Sequence, residues 1–211
     1  MPQLSRRVLQ RLMRYYRFLV EVTAKRPVRT ITSGEIAEAL EIDATQVRKD
    51  LGAIGLIGLG RVGFDVCEIC RAIRTTLGFD QRHEAVLIGA GHLGLALLNY
   101  PGFATFGLDI VAAFDVDRRK LGRTIGSCRI RSVDTLGSFI RQRRVPLAMI
   151  TTPAEVAQQV TDLCVANGIK AIWNFSPTQL TVPKRVLVYH EHISLGLSVL
   201  AYHMNGRVSP A

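Results

Sequence analysis

The chain has 211 residues, of which 48% are hydrophobic, enough for a sizeable core and against global disorder. No apolar run approaches the roughly 18 residues of a membrane span, and the arginine-rich start lacks the apolar core and cleavage site of a signal peptide. A cytoplasmic protein with no membrane partner is therefore expected. Net charge is +10, and the four cysteines, at 67, 70, 128 and 164, make no disulfide framework in a chain of this length.

The charge is unevenly placed. Residues 1–29 hold eight Lys/Arg against one acid, Glu21. That imbalance points to an anionic partner such as nucleic acid, although a solvated basic helix face has the same composition. Val8, Leu12, Tyr15, Leu19 and Val22 recur at spacings of four and three, which predicts a helix over 4–24. Arg7, Arg11 and Arg14 lie on another of its faces. Pro27 lies beyond its end.

Thr32 with Glu35 makes a capping box for a second helix, Gly34 to Leu40, with Ile36, Ala37 and Leu40 apolar. After the short turn Glu41-Ile42, Asp43 caps a third helix, with Gln46 in the box position. Val47, Leu51 and Ile54 form its buried stripe, while Gln46, Arg48, Lys49 and Asp50 fall largely on other faces. Two short helices around a tight turn, the second polar and basic outside, form the helix-turn-helix pattern. The candidate DNA contacts are Thr45, Gln46, Arg48 and Lys49. Gly58 and Gly60 can turn a hairpin between Leu56-Ile57 and Val62-Phe64, a wing whose Arg61 could enter a minor groove. The plain alternative is a glycine-rich linker.

Asp65 to Leu77 reads as a connecting helix. Cys67 and Cys70 lie one turn apart within it and read as two small core residues, since no second ligand pair accompanies them. No metal site is expected. Gly78 to Gln81 is the expected domain boundary, giving a winged-helix domain over 1–81, a Rossmann domain over 82–189 and a C-terminal helical segment over 190–211.

Ala85–Ile88 is a short apolar strand, followed by Gly89-Ala90-Gly91-His92-Leu93-Gly94, a G-x-G-x-x-G. An apolar-faced helix comes next, and then Ile110–Phe114, a strand ending on Asp115. Gly89 allows the turn, Gly91 lets the backbone approach a pyrophosphate, and Gly94 lets helix and strand pack closely. The helix start offers unpaired N–H groups to phosphates. Asp115 stands 24 positions beyond Gly91, which suits a carboxylate accepting from ribose hydroxyls and favours NAD over NADP. Arg118 and Arg119 follow closely, so a 2′-phosphate stays open. So do a flavodoxin-like turn without nucleotide and another adenine cofactor.

Alternation then continues: a helix over Ser132–Arg143, a strand over Pro146–Ile150, a helix over Ala154–Ala166, and strands over Ala171–Trp173 and Val186–Tyr189. This predicts a doubly wound parallel sheet in an α/β fold. Ligands bind outside the carboxyl ends of such strands, which brings Thr151-Thr152 and Asn174-Phe175 beside the glycine loop. A final helix over His190–Met204 is too apolar to lie free in water and needs a partner surface.

Taken together, Gln46–Leu51, Gly89–Gly94, Asn99-Tyr100-Pro101-Gly102-Phe103, Phe114-Asp115-Val116-Asp117 and Asn174–Pro177 resemble the Rex family of redox-sensing transcriptional repressors along nearly the whole chain. The resemblance implies a homodimer with an N-terminal winged helix, a C-terminal Rossmann domain and a last helix swapped onto the other subunit. It implies a palindromic duplex operator, released when NADH replaces NAD. The implied NAD(H)-binding residues are Gly89, Ala90, Gly91, His92, Leu93, Gly94, Tyr100, Asp115, Asp117, Thr151, Thr152, Asn174, Phe175, His192 and Ile193. Three departures stand out. Gly52-Ala53-Ile54 replaces the usual Ser-Tyr-Phe, and Gly60-Arg61 replaces Arg-Gly in the wing. His192 takes the place of an Asp that would meet Arg17 and Tyr100 near the nicotinamide.

Two other classes compete. A small NAD-dependent dehydrogenase lacks support: no Tyr-x-x-x-Lys pair occurs, no separate substrate domain is present, and Tyr100 is the only evident acid–base group. No catalytic residues are therefore assigned. A DNA-binding regulator whose Rossmann domain serves mainly for dimerisation, with a weakened redox response, is kept open by His192.

Overall fold

The computed structural model describes residues 4–205, which divide into two compact units at the boundary between Gln81 and Arg82. In the first unit α1 (Arg6–Lys25) buries Leu12, Tyr15 and Leu19, the middle of the predicted stripe. The helices α2 (Ser33–Leu40) and α3 (Ala44–Ala53) form the helix-turn-helix. The capping box at Thr32 and Glu35 is formed in both directions. Asp43 accepts from the N–H groups of Thr45 and Gln46. The Gln46 side chain does not return to the cap. It reaches forward to Asp50 instead.

The predicted hairpin is not formed. Residues 56–57 are no strand, because the Leu56 N–H continues the end of α3 by donating to the Leu51 carbonyl and its side chain enters the core. The strand that does form, β2 (Phe64–Asp65), pairs antiparallel with β1 (Thr30–Ile31), which precedes α2. Between them the loop closes through Leu59 N–H to the Gly63 carbonyl. Gly63 has φ +89°, and a Cβ there would lie 2.3 Å from the Ile31 carbonyl oxygen, so only glycine allows this pairing. The helix α4 (Val66–Leu77) follows, capped by Asp65. Cys67 is exposed and only Cys70 packs partly against the core, which corrects the expectation that both are core residues.

The second unit is built on β3 (His83–Ile88), β4 (Leu108–Asp115), β5 (Thr124–Ile125), β6 (Cys128–Ser132), β7 (Leu147–Ile150), β8 (Ala171–Asn174) and β9 (Leu187–His190). Their order is β5-β6-β4-β3-β7-β8-β9, all parallel except the β5–β6 pair. Leaving out β5, the order is that of a doubly wound dinucleotide fold, with the reversal between β3 and β7. The helices are α5 (His92–Leu98), α6 (Gly102–Thr105), α7 (Leu136–Arg143), α8 (Ala154–Ala166) and α9 (Ile193–Met204).

Alternate residues of β3 serve the two faces of the sheet. Val86 and Ile88 join the core with Leu136, Ile140, Ala157 and Cys164 of α7 and α8. Ala85 and Leu87 join the opposite core with Met149, Cys128 and Ile130. Some elements differ from expectation. The β5–β6 pair was not read from the sequence. Ser132 ends β6, and after a 3₁₀ turn the helix begins only at Leu136. His190 is the last residue of β9, opposite Asn174, so the final helix starts at Ile193 with His192 as its cap. No helix among the described residues is long and apolar enough to cross a membrane.

Candidate functional site

A cleft of about 1440 Å³ opens at the carboxyl ends of the central strands, beyond the usual size of a small-molecule pocket. Gly89, Gly91, Leu93, Asp115, Asp117, Thr151, Thr152 and Phe175 line it. The glycine loop is held from below. Gly89 has φ +102°, and a Cβ there would sit 2.8 Å from the Thr151 carbonyl. At Gly94 a Cβ would lie 2.1 Å from the Gly89 carbonyl oxygen, so the first turn of α5 rests directly on the loop. Gly91, the cap of α5, has open space where its Cβ would stand. This glycine leaves room for a phosphate against the free N–H groups of the first turn.

The two threonines divide their work. Thr151 Oγ1 lies 2.9 and 2.8 Å from the carbonyls of Ile88 and Gly89 and props the loop. Thr152 Oγ1 is buried with no hydrogen-bond partner among the described residues, although its residue lines the cleft. A buried hydroxyl of this kind is suited to a ligand atom. Asp115 ends β4. Its Oδ1 accepts the Asp117 N–H at 2.8 Å and its Oδ2 accepts Lys120 Nζ at 2.9 Å. Lys120 also lines the cleft and was not singled out from the sequence. The Asp117 carboxylate pairs with Arg119, whose guanidinium and backbone N–H hold its carboxyl down at about 2. Glycine space, an unpartnered hydroxyl and an acid at the end of β4 fit a dinucleotide. Asn174 does not line the cleft. Its buried amide accepts from Ser176 N–H, donates to the Thr178 carbonyl and meets His190 Nδ1 at 3.0 Å, so it shapes its own loop.

The helix-turn-helix face carries Thr45, Arg48 and Lys49, all exposed. Arg48 reaches Ser33 Oγ and Thr45 Oγ1, both at 3.1 Å, so its guanidinium lies along the seam of α2 and α3. Asp50, expected on an outer face, is instead 2% exposed. It accepts Arg11 Nε at 2.6 Å and Nη2 at 2.8 Å, the Tyr15 hydroxyl at 2.8 Å and Gln46 Nε2 at 2.8 Å. Burial pushes the Asp50 carboxyl up, but the hydrogen bonds from Arg11, Tyr15 and Gln46 outweigh it and hold it below the usual range. Burial, and then the bond to Asp50, push the Tyr15 hydroxyl well above its ordinary value. Gln46 thus serves the helix interface, and Arg11 and Arg14 are engaged within the unit, Arg14 on the Leu40 carbonyl at 2.8 Å. The Arg61 side chain lies outside the described part.

Comparison with known proteins bears on both surfaces. Residues 3–52 match the family model "Putative DNA-binding protein N-terminus", and residues 80–178 match "CoA binding domain". A redox-sensing transcriptional repressor Rex of Clostridium botulinum is 39% identical over 96% of this chain and 96% of its own. The chain belongs to the Rex family of redox-sensing transcriptional repressors. A Rex-family structure, RSP in complex with beta-NAD+ and operator DNA, superposes with a TM-score of 0.90 at 34% identity, covering 98% of this chain and 94% of that one. RSP in complex with beta-NADH gives 0.89 at the same identity, covering 98% and 96%.

The remaining residues carried over from the Rex resemblance are spread more widely. Tyr100 is half-exposed and stacks edge-on to Phe103 at 4.9 Å. Phe103 meets Trp173 at 5.7 Å, and Trp173 meets Phe175 at 4.9 Å. One aromatic row thus joins Tyr100 to the cleft wall. His92 is exposed, and Ala90 is buried beneath the loop. In this Rex chain His192 is exposed beside its stacked neighbour His190 and does not line the cleft of its own chain. The Ile193 side chain lies outside the described part. On α9, Leu195, Leu197, Val199, Leu200, Tyr202 and Met204 are all exposed.

Proposed function

We propose that this protein is a cytoplasmic, homodimeric repressor that binds a palindromic duplex operator and lets go when NADH replaces NAD⁺. The observation that carries this reading is the pairing, in one chain, of a helix-turn-helix with a dinucleotide-shaped cleft, along nearly the whole length of relatives named as redox-sensing repressors. RSP, solved with beta-NAD+ and operator DNA, supports both ligands. NAD(H) would lie over Gly89, Gly91 and Gly94, with the pyrophosphate on the α5 start, the adenosine ribose at Asp115 and the nicotinamide toward Phe175. Thr45, Arg48, Lys49 and Arg61 would meet the DNA. The exposed apolar side chains on α9 support a swapped helix covered by the second subunit. The test is fluorescence anisotropy on palindromic duplexes, titrated with NADH at fixed NAD⁺. NADH-driven release is expected, and DNA binding indifferent to both dinucleotides would overturn the sensing role.

A second reading concerns the strength of the response. A ligand shifts an equilibrium only by its differential affinity for two states. His192 offers no carboxylate to favour NAD⁺, and the neighbouring Glu191 accepts a bond from Trp173 Nε1 at 3.2 Å. Weaker discrimination between NADH and NAD⁺ than a carboxylate would give is therefore expected, and it should sharpen in His192→Asp.

A further inference from the structure

Asp115 does not stand alone at the ribose end of the cleft. Its Oδ2 is joined to Lys120 Nζ, and both residues line the cavity. The Asp115 side chain is 8% exposed and that of Lys120 29%. The other close cations differ. Arg119 is drawn off by Asp117 through two side-chain bonds of 3.0 Å, and Arg118 is exposed. Lys120 is the cation held against the acid itself. An ammonium has three donors, of which one is engaged here, and each carboxylate oxygen keeps an acceptor site. The pair can therefore accept from one ribose hydroxyl and donate to the oxygen of another.

The pair also carries no net charge, and this matters for a 2′-phosphorylated dinucleotide. A lone buried carboxylate repels a phosphate dianion by charge and by the absence of donors. Here the repelling group and a phosphate-binding group occupy one place. From this geometry we infer that Lys120 is a specificity-determining residue: it moderates the exclusion of a 2′-phosphate by Asp115, and it becomes the phosphate's partner once that acid is neutralised. The inference rests on the reading of the cleft as an NAD(H) site. Removing Lys120 alone should leave the acid uncompensated, so selectivity for NADH over NADPH rises. Neutralising Asp115 alone should bring in NADPH.

The experiment is calorimetric titration of NADH and NADPH into the wild-type protein, Lys120→Met, Asp115→Asn and the double variant, with circular dichroism checking that each is folded. Asp115→Asn should gain NADPH affinity, and adding Lys120→Met should take away about ten- to hundredfold of it, the usual worth of a hydrogen bond to a charged group. Asp115→Asn with Lys120→Arg should keep the gain, since a guanidinium still donates to phosphate. If wild type binds NADH but the NADPH affinity of Asp115→Asn is unmoved by losing Lys120, Lys120 has no such role while the cleft assignment stands. If folded wild type binds neither dinucleotide, the cleft assignment and this inference fall together.

Discussion

Asp50 and Asp115 are both buried carboxylates with a basic partner, and the contrast between them separates architecture from recognition. Asp50 accepts four hydrogen bonds from three side chains on two helices, so its oxygens are fully engaged inside the protein. Asp115 accepts two and faces a cavity. A satisfied buried carboxylate fixes geometry, here the seat of α3 upon α1. An under-satisfied one beside a cleft, with the unpartnered Thr152 hydroxyl nearby, is ready for ligand.

If this contrast is right, changes in the cleft should remove binding without unfolding, and changes at Asp50 should do the reverse. The largest expected effect is at Gly91. Gly91→Val places a side chain in the open space where a pyrophosphate must approach, so calorimetry should find NADH binding abolished while the thermal midpoint stays near wild type. A bound complex of ordinary affinity would show that the loop is not the phosphate site.

Next in size is Asp50→Ala, which leaves Arg11, Tyr15 and Gln46 without their acceptor. Breaking a buried pair in this way costs about 3–5 kcal/mol, measurable by urea unfolding of the full chain. The pH dependence has a definite sign. Because the Asp50 pKa is depressed, its stabilisation is complete above the unfolded value near 4 and declines as pH falls through the folded one. The gap between wild type and Asp50→Asn should therefore narrow in acid. A gap that widened would mean that the ion pair is not the source of the stability.

Arg48→Ala should weaken operator binding by about 1–3 kcal/mol if it reads a base, seen as a shift in the anisotropy midpoint, with urea unfolding little changed. Smallest is Thr32→Ala, which removes one half of the capping box and should cost about 1 kcal/mol of stability. A loss several times larger would mean that the α2 start carries more of the unit than its exposed position suggests.

Much of this arrangement was legible in the sequence because it depends on local rules. The capping residues, the glycine loop and the strand-to-acid spacing each announce a conformation within a few positions. What escaped was set by distant partners. Asp50 lies among polar neighbours on a helix, and only the docking of α1 turns it inward. The strand β2 takes its partner from before the helix-turn-helix, so the neighbouring glycines suggest a hairpin that does not form. In β6 the residues Cys128 to Arg131 alternate buried and exposed, with Arg129 and Arg131 outward, a period-2 signal only four residues long. Lys120 went unnoticed because a lysine five positions after an acid has no signature until the turn at 117–120 folds it back.

The placement of β3 has a further consequence, for synthesis on the ribosome. The first unit joins helices close in sequence and can collapse as soon as it emerges, since local contacts form fastest. The strand β3 follows immediately and pairs on one side with β4, but its other neighbour is β7, where Ala85 stands opposite Leu147. Until that later segment leaves the exit tunnel, an apolar edge of the central strand is unsatisfied. The nascent chain is then a folded DNA-binding head followed by an open sheet, and chaperone dependence should peak in that interval of translation and fall once residue 150 has been released.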